Sequence, residues 1–223
     1  MRITVLGASG YVGAHLVREA ASRGHEVTGL CRTTPDQPVP GATYRRLDIL
    51  EPGAELATCV RAEALLDALS PRGELGGRLE AVRRDLAEAA RRTGVRYGVI
   101  GGSGCLGMTD AGPRYLDTPE FPARFRAESE EVARTLEHLR GASEDVDWFV
   151  VSPPPAFGSP THGPSVPQPD APAVRTGRYR LGHDTVLRDA NGVSAISPAD
   201  LACAVLDEVE RPRHHRQRFT VAY

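Results

Sequence analysis

Apolar positions along this chain fall into two rhythms that alternate. Residues 2–7, RITVLG, form a β-branched apolar run that stops at glycine, the pattern of a strand buried on both faces. Residues 10–24, GYVGAHLVREAASRG, place Val12, Leu16, Val17 and Ala20 on one helical face, with Gly24 positioned to end the helix. The same alternation predicts a strand over 25–32, a proline-rich loop over 33–41 and a strand over 42–49 with Asp48 near its end. The stretch from Gly53 to Gly73 has the propensity of one long helix. The order of elements around it asks instead for a short helix and then a strand over 64–70, and that reading is taken because tertiary context overrides propensity.

Further on, Leu75, Leu79, Val82, Leu86 and Ala89 recur at helical spacing within 74–94, and Arg and Glu are assigned to the opposite face. A strand is predicted over 95–102, an amphipathic helix over 122–141, and a strand over 146–158 that stops at three prolines. The alternation then breaks. Residues 159–174 are proline-rich, 176–182 and 184–197 read as short strands with an Asn191–Gly192 turn, and 218–223 is a closing strand. Between them lies a helix over 197–212, with Ser197 as its N-cap and Pro198 at its first position. The pattern is that of an α/β protein, and 223 residues suit one domain, 1–223, with a modest appendage.

Composition removes several function classes. Hydrophobic residues make up 40% and charged residues 25%, an ordinary globular balance, and a net charge of -2 offers no basic field for nucleic acid. Cysteines 31, 59, 105 and 203 form no C-x-x-C pair, which suggests free thiols, and no run reaches membrane-spanning length, so a cytoplasmic protein is expected. All 27 basic residues are Arg. Schiff-base catalysis through Lys is thereby excluded, as is a P-loop. The adjacent His214 and His215 do not share a face, so no metal site is expected.

The first strand and helix are joined by Gly7-Ala-Ser9-Gly10-Tyr11-Val12-Gly13, a G-x-x-G-x-x-G turn. Small residues there let the chain turn tightly and let backbone N–H groups approach a pyrophosphate at a helix N-terminus, and Ser9 adds a hydroxyl donor. The competing role is helix–strand packing. The second strand ends in Cys31-Arg32-Thr33-Thr34, about 20 residues beyond the turn, where an acidic residue would hold ribose hydroxyls and an Arg suits a 2′-phosphate. Arg32 favours NADP(H) over NAD(H), with Thr33 beside it; the alternatives are a solvated loop arginine and the later Asp36 as the acidic residue. Asp48 and Ile49 either line the adenine edge or, for Asp48, cap the next segment.

Taken in order, the glycine turn, CRTT, GGSGCLG and VSPPPAFG resemble the atypical short-chain dehydrogenase/reductase superfamily. The nearer likeness is to its NADH-flavin reductase group, related to biliverdin/flavin reductases and NmrA-like proteins. The stretches 116–140 and 175–223 carry it as well, and it is weakest over 51–75 and 159–173. The resemblance implies a Rossmann-like, doubly wound parallel sheet with a small C-terminal substrate-covering region. It implies that Gly7 to Gly13 hold the pyrophosphate and Arg32 the 2′-phosphate. Ser70, Pro71 and Arg72 would flank the cofactor, Gly102 and Ser103 face the nicotinamide ribose, and Ser152, Pro153 and Pro154 close over the nicotinamide end. Substrate-covering elements are expected from 104–125 and 155–200. The group often reads G-G-A-G-S-L where this chain has Gly101-Gly102-Ser103-Gly104-Cys105-Leu106, so Cys105 replaces a common Ser. Residues 159–173 look inserted.

Most short-chain dehydrogenases donate a proton through a Tyr activated by a Lys. Without Lys that pair cannot form, and Tyr97 and Tyr115 lack the partner. Hydride delivery to a flavin-like or other conjugated small molecule remains open, with solvent as a proton source. Ser103 is then a catalytic, substrate-orienting hydroxyl or, equally, a ribose contact or strand cap. Cys105, Leu106 and Phe157 are expected as substrate-pocket walls, with core packing as the alternative. His162 and His183 lie near the expected substrate loop. The leading expectation is an NADPH-dependent reductase of a small molecule, with a homodimer left open. The alternatives are a non-catalytic NADP(H)-binding redox sensor or regulatory protein and a non-redox isomerase or cyclase.

Overall fold

Strands rich in Val, Ile and Leu on both faces need helices above and below them, and the structure supplies both layers. The structure, a computed structural model, describes residues 1–52, 54, 56–158 and 175–223. Strands β1 (Arg2–Leu6), β2 (Glu26–Cys31), β3 (Ala42–Arg46), β4 (Ala64–Asp67), β5 (Arg96–Ile100) and β6 (Trp148–Ser152) stand in the parallel order 3-2-1-4-5-6. That order reverses direction at β1, which places a crevice above its carboxyl end. A two-residue strand, β7 (Ala156–Phe157), pairs with β9 (Ala195–Ile196), and β10 (Gln217–Ala222) extends the main sheet parallel to β6. The sheet ends in the antiparallel edge strand β8 (Arg180–Gly182). The fold is therefore a Rossmann-like α/β fold with a mostly parallel central sheet.

One face is covered by α1 (Tyr11–Ser22) and α5 (Pro198–Glu210), whose Leu16, Val17, Ala20, Leu201 and Val205 pack on Ile3, Val5, Phe149 and Val151. The other is covered by α2 (Leu56–Cys59), α3 (Leu79–Thr93) and α4 (Arg126–Arg140). There Leu86, Ala90, Leu136 and Leu139 meet Leu65, Tyr97, Trp148 and Val150. Alternate residues of one strand serve opposite layers, as Trp148 and Phe149 show.

The choice of a short helix followed by a strand over the long-helix propensity of 53–73 is borne out by α2 and β4, though β4 stops at Asp67 rather than Ser70. Three other expectations change. β3 ends at Arg46, because Asp48 turns the chain by accepting from the Leu50 amide at 3.0 Å. The helix expected over 74–94 is broken: a 3-10 turn (Gly73–Leu75) precedes α3, with Gly77 at φ 72° between them. Glu131 of α4 caps α3 from outside, accepting from the amides of Gly77, Leu79 and Glu80 at 2.7, 2.8 and 3.1 Å. Residues 184–197 do not form hairpin strands. Their only strand among the described residues is β9, and Asp189 closes the turn before it by accepting from the Asn191 and Val193 amides. Ser197 does cap α5, accepting from the Asp200 amide at 3.0 Å, with Pro198 at the first position. His162 and the 159–173 stretch lie outside the described residues. Among the described residues no helix is long and apolar enough to cross a membrane.

Candidate functional site

The three glycines of the first turn divide their labour. Gly7 sits at φ 79°, its amide bonded to the Leu30 carbonyl at 2.9 Å, and it reverses the chain as β1 ends. Gly10 is the N-cap of α1 and bonds back to the Gly7 carbonyl at 2.9 Å. A Cβ on Gly13 would fall 2.0 Å from the Gly7 carbonyl oxygen. Gly13 therefore lets the helix press against the turn and stands behind the open surface, whereas Gly7 and Gly10 line it. The first amides of α1 have no acceptor within the helix, and Gly10 as N-cap supplies no side-chain acceptor, so a positive pole faces the opening.

That opening is a cavity of about 540 Å³, in the range of small-molecule and cofactor sites. Gly7, Ser9, Gly10, Tyr11 and Val12 form its floor, with Arg32, Thr33, Asp48 and Ile49 on one flank. Ser70, Pro71 and Arg72 stand on the other side, and Gly102, Ser103, Pro153, Pro154 and Phe157 complete the far end. The segments that follow the carboxyl ends of β1 to β6 thus bring seventeen of the expected residues to one cavity. Four others stand behind the lining. Gly13 packs as described, and Ser152 is buried in β6, its carbonyl accepting from Thr220 at 2.9 Å. Leu106 is fully buried, and Cys105 is held in the core with its thiol 3.6 Å from the Ser129 carbonyl. Burial pushes the Cys105 thiol up to about 11, which makes it an inert packing residue. The expectation that Cys105 and Leu106 wall the pocket is corrected to its alternative, core packing, because the 3-10 turn over Ser103–Cys105 turns them inward.

Several cavity residues were not singled out as binding residues in the sequence, although four of them fall in the 104–125 segment expected to cover the substrate. Tyr115, Phe121, Pro122 and Phe125 form an aromatic wall, with the Tyr115 and Phe121 rings edge to face at 5.0 Å. From α4 come Glu128, Ser129 and Val132. Glu128 takes Arg72 in a two-point ion pair at 2.7 and 2.9 Å and accepts from the Ser70 hydroxyl at 3.3 Å. α4 reaches this position because Gly104 has no side chain, since a Cβ there would lie 2.7 Å from Ser129. Arg32 donates to Glu74 at 2.6 Å. Cys31 also lines the cavity, and burial raises its thiol.

Beneath the Leu69–Arg72 wall lies a buried polar cluster. Asp67 at the end of β4 accepts from Arg83 and from the Tyr97 hydroxyl, both at 2.9 Å, and from the Leu69 amide at 2.9 Å. Arg83 also donates to the Leu69 carbonyl at 2.8 Å. Burial, reinforced by the Asp67 charge, drives the Tyr97 phenol well above its ordinary value, so it stays a neutral donor. Arg83 is a correction as well, for α3 carries it on the buried face and not among its solvent-facing charges.

The residues present fit a nicotinamide dinucleotide: a glycine cradle that a Cβ would fill, a helix N-terminus with a glycine N-cap and a cavity of suitable size. Among the described residues no cluster of His, Cys, Asp or Glu could hold a metal ion.

Comparison with known proteins points the same way. The NAD(P)H-binding family matches residues 7–212. An uncharacterized protein of Bacillus subtilis, YwnB, is 33% identical over 99% of this chain and 98% of its own. A solved protein of Streptococcus pneumoniae, provisionally named an NADH-flavin reductase, is 28% identical with TM-score 0.80, covering 100% of this chain and 99% of that one. Another from Bacteroides thetaiotaomicron, provisionally named an epimerase, is 30% identical with TM-score 0.83, covering 100% and 96%.

Proposed function

This chain belongs to the NAD(P)H-binding family, and from that premise we propose that it is an NADPH-dependent oxidoreductase of the atypical short-chain dehydrogenase type, acting on a flavin-like or other conjugated small molecule. The observation that supports this most is the single cavity that runs from the glycine turn to Ser103 and the aromatic wall. Gly7, Ser9, Gly10, Tyr11 and Val12 hold the pyrophosphate against α1, and Arg32 with Thr33 takes the 2′-phosphate. Asp48 and Ile49 bound the adenine, and Ser70, Pro71 and Arg72 flank the cofactor. Gly102 and Ser103 meet the nicotinamide ribose, while Pro153 and Pro154 close the nicotinamide end. When bound, the nicotinamide supplies a hydride. The chain's own residues do the rest. Tyr115, Phe121, Phe125 and Phe157 offer planar apolar walls and exclude water. The Ser103 hydroxyl orients the acceptor. No Lys is present to activate a phenol, and burial keeps Tyr115 above its ordinary value and protonated, so the proton comes from a neutral hydroxyl or from water. The 104–125 segment, with Pro153, Pro154 and Phe157 beside it, covers the substrate.

The test is titration with NADPH and NADH, followed by NADPH oxidation with flavins and quinones as acceptors. Expected are tighter binding of NADPH than NADH, a loss of about tenfold or more in NADPH affinity in Arg32→Ala with NADH little changed, and acceptor-dependent oxidation. Failure to bind either nucleotide would end this reading. The epimerase name of the Bacteroides neighbour favours a second one, a non-redox isomerisation on the same site, which predicts product without net cofactor oxidation.

A further inference from the structure

Arg32 and Glu74 reach one another from opposite sides of the glycine turn. Arg32 follows β2 and Glu74 follows β4, and these strands flank β1 on either side. Their contact, Arg32 Nη1 to Glu74 Oε2 at 2.6 Å, ties Arg32, which lines the cavity, to a residue that stands between the lining residues Arg72 and Leu75 in sequence. Glu74 rides on a short strap. Its near end is held where Arg72 is clasped by Glu128, and its far end where the Gly77 amide is bound by Glu131. Gly73 and Gly77, at φ 57° and 72°, turn the chain so that the 3-10 turn carrying Glu74 stands clear of the sheet end between these anchors.

We propose that Glu74 sets the nucleotide selectivity of this site by competing with the 2′-phosphate of NADP(H) for the Arg32 guanidinium. The inference rests on the NADP(H) reading above and adds a residue to it. A guanidinium satisfies a carboxylate or a phosphate through the same N–H groups, so the two anions exclude one another. A phosphate monoester carries more charge and more acceptor oxygens than a carboxylate, so it wins. Both partners of the pair are more than half exposed, which keeps the competition mild. NAD(H) has no 2′-phosphate and leaves the pair intact. Glu74 therefore lowers the affinity for NADP(H) selectively and narrows its advantage over NAD(H).

The test uses 2′,5′-ADP and 5′-AMP, which differ only in the 2′-phosphate, titrated by calorimetry into the wild type, Glu74→Gln, Arg32→Ala and the double variant. Glu74→Gln is expected to tighten 2′,5′-ADP about two- to fivefold and to leave 5′-AMP unchanged. Most of that gain is expected to vanish when Arg32 is already Ala. A gain of equal size with and without Arg32 would show plain charge repulsion and overturn the competition. A silent Glu74→Gln, in a protein that prefers 2′,5′-ADP and loses that preference in Arg32→Ala, would overturn this inference alone. A wild type with no preference for 2′,5′-ADP, unaffected by Arg32→Ala, would overturn the NADP(H) reading itself.

Discussion

At the scale of single residues, the glycine turn separates packing from lining the cavity. Gly13 has a carbonyl oxygen 2.0 Å from where a Cβ would sit, whereas the nearest atom to a Cβ on Gly10 is at 3.1 Å. Gly13→Ala is therefore expected to cost about 1–3 kcal/mol or more through forced backbone movement, read by urea unfolding. Gly10→Ala is expected to change stability less and to weaken NADPH binding more, because Gly10 lines the cavity. The reverse ranking would contradict this division. The G-x-x-G-x-x-G spacing was legible as a nucleotide turn, but which glycine serves which purpose was not. That depends on how closely α1 meets β1. Arg83 shows the same limit. Its charge assigned Arg83 to solvent although it shares a helical face with Leu79 and Leu86, and the Asp67 carboxylate and Leu69 carbonyl that compensate its burial come from another element.

At the scale of elements, the cap and the ties between helices carry the lesson. Ser197-Pro198 announced the start of α5 because a cap is local and its partner lies three residues away. The start of α3 had no such mark, since its cap is Glu131 from another helix. Glu19 ties elements in a similar way. Buried on α1, it binds Arg175 at 2.7 and 2.8 Å and Arg23 at 2.8 Å, and Arg23 continues to Asp207 and Glu210 of α5. Hydrogen bonds from Arg175, joined by those from Arg23, outweigh burial and pull the Glu19 carboxyl from its ordinary 4.5 down to about 2. Because the folded value is depressed, this stabilisation is fully present above about pH 5 and is lost as pH falls toward 2. Melting temperatures across that window should fall for the wild type more steeply than for Glu19→Gln. The variant should start lower at neutral pH. Parallel curves would show that the tie contributes nothing.

At the scale of the whole molecule, the cavity joins six strand ends with α1, α4 and the 3-10 turns, so a ligand there is linked to global unfolding. NADPH at a hundred times its dissociation constant is expected to add about 2.7 kcal/mol, and to raise Tm by about 5–10 °C. A scan with and without nucleotide checks this, and an unmoved Tm at saturation would mean that no such linked site exists. The alternation of strand and helix, the first-turn glycines, Arg32 at the end of β2 and the absence of Lys were all written in the chain itself. They are local patterns or plain counts, and they determined the fold class and the candidate nucleotide turn, and excluded Lys chemistry. Tertiary structure alone decided the aromatic wall, the Glu128 clasp on Arg72, the buried Asp67–Arg83–Tyr97 cluster and the meeting of Arg32 with Glu74. Each joins residues from separate elements, and the distances that matter exist only once the sheet order 3-2-1-4-5-6 brings those elements to one edge.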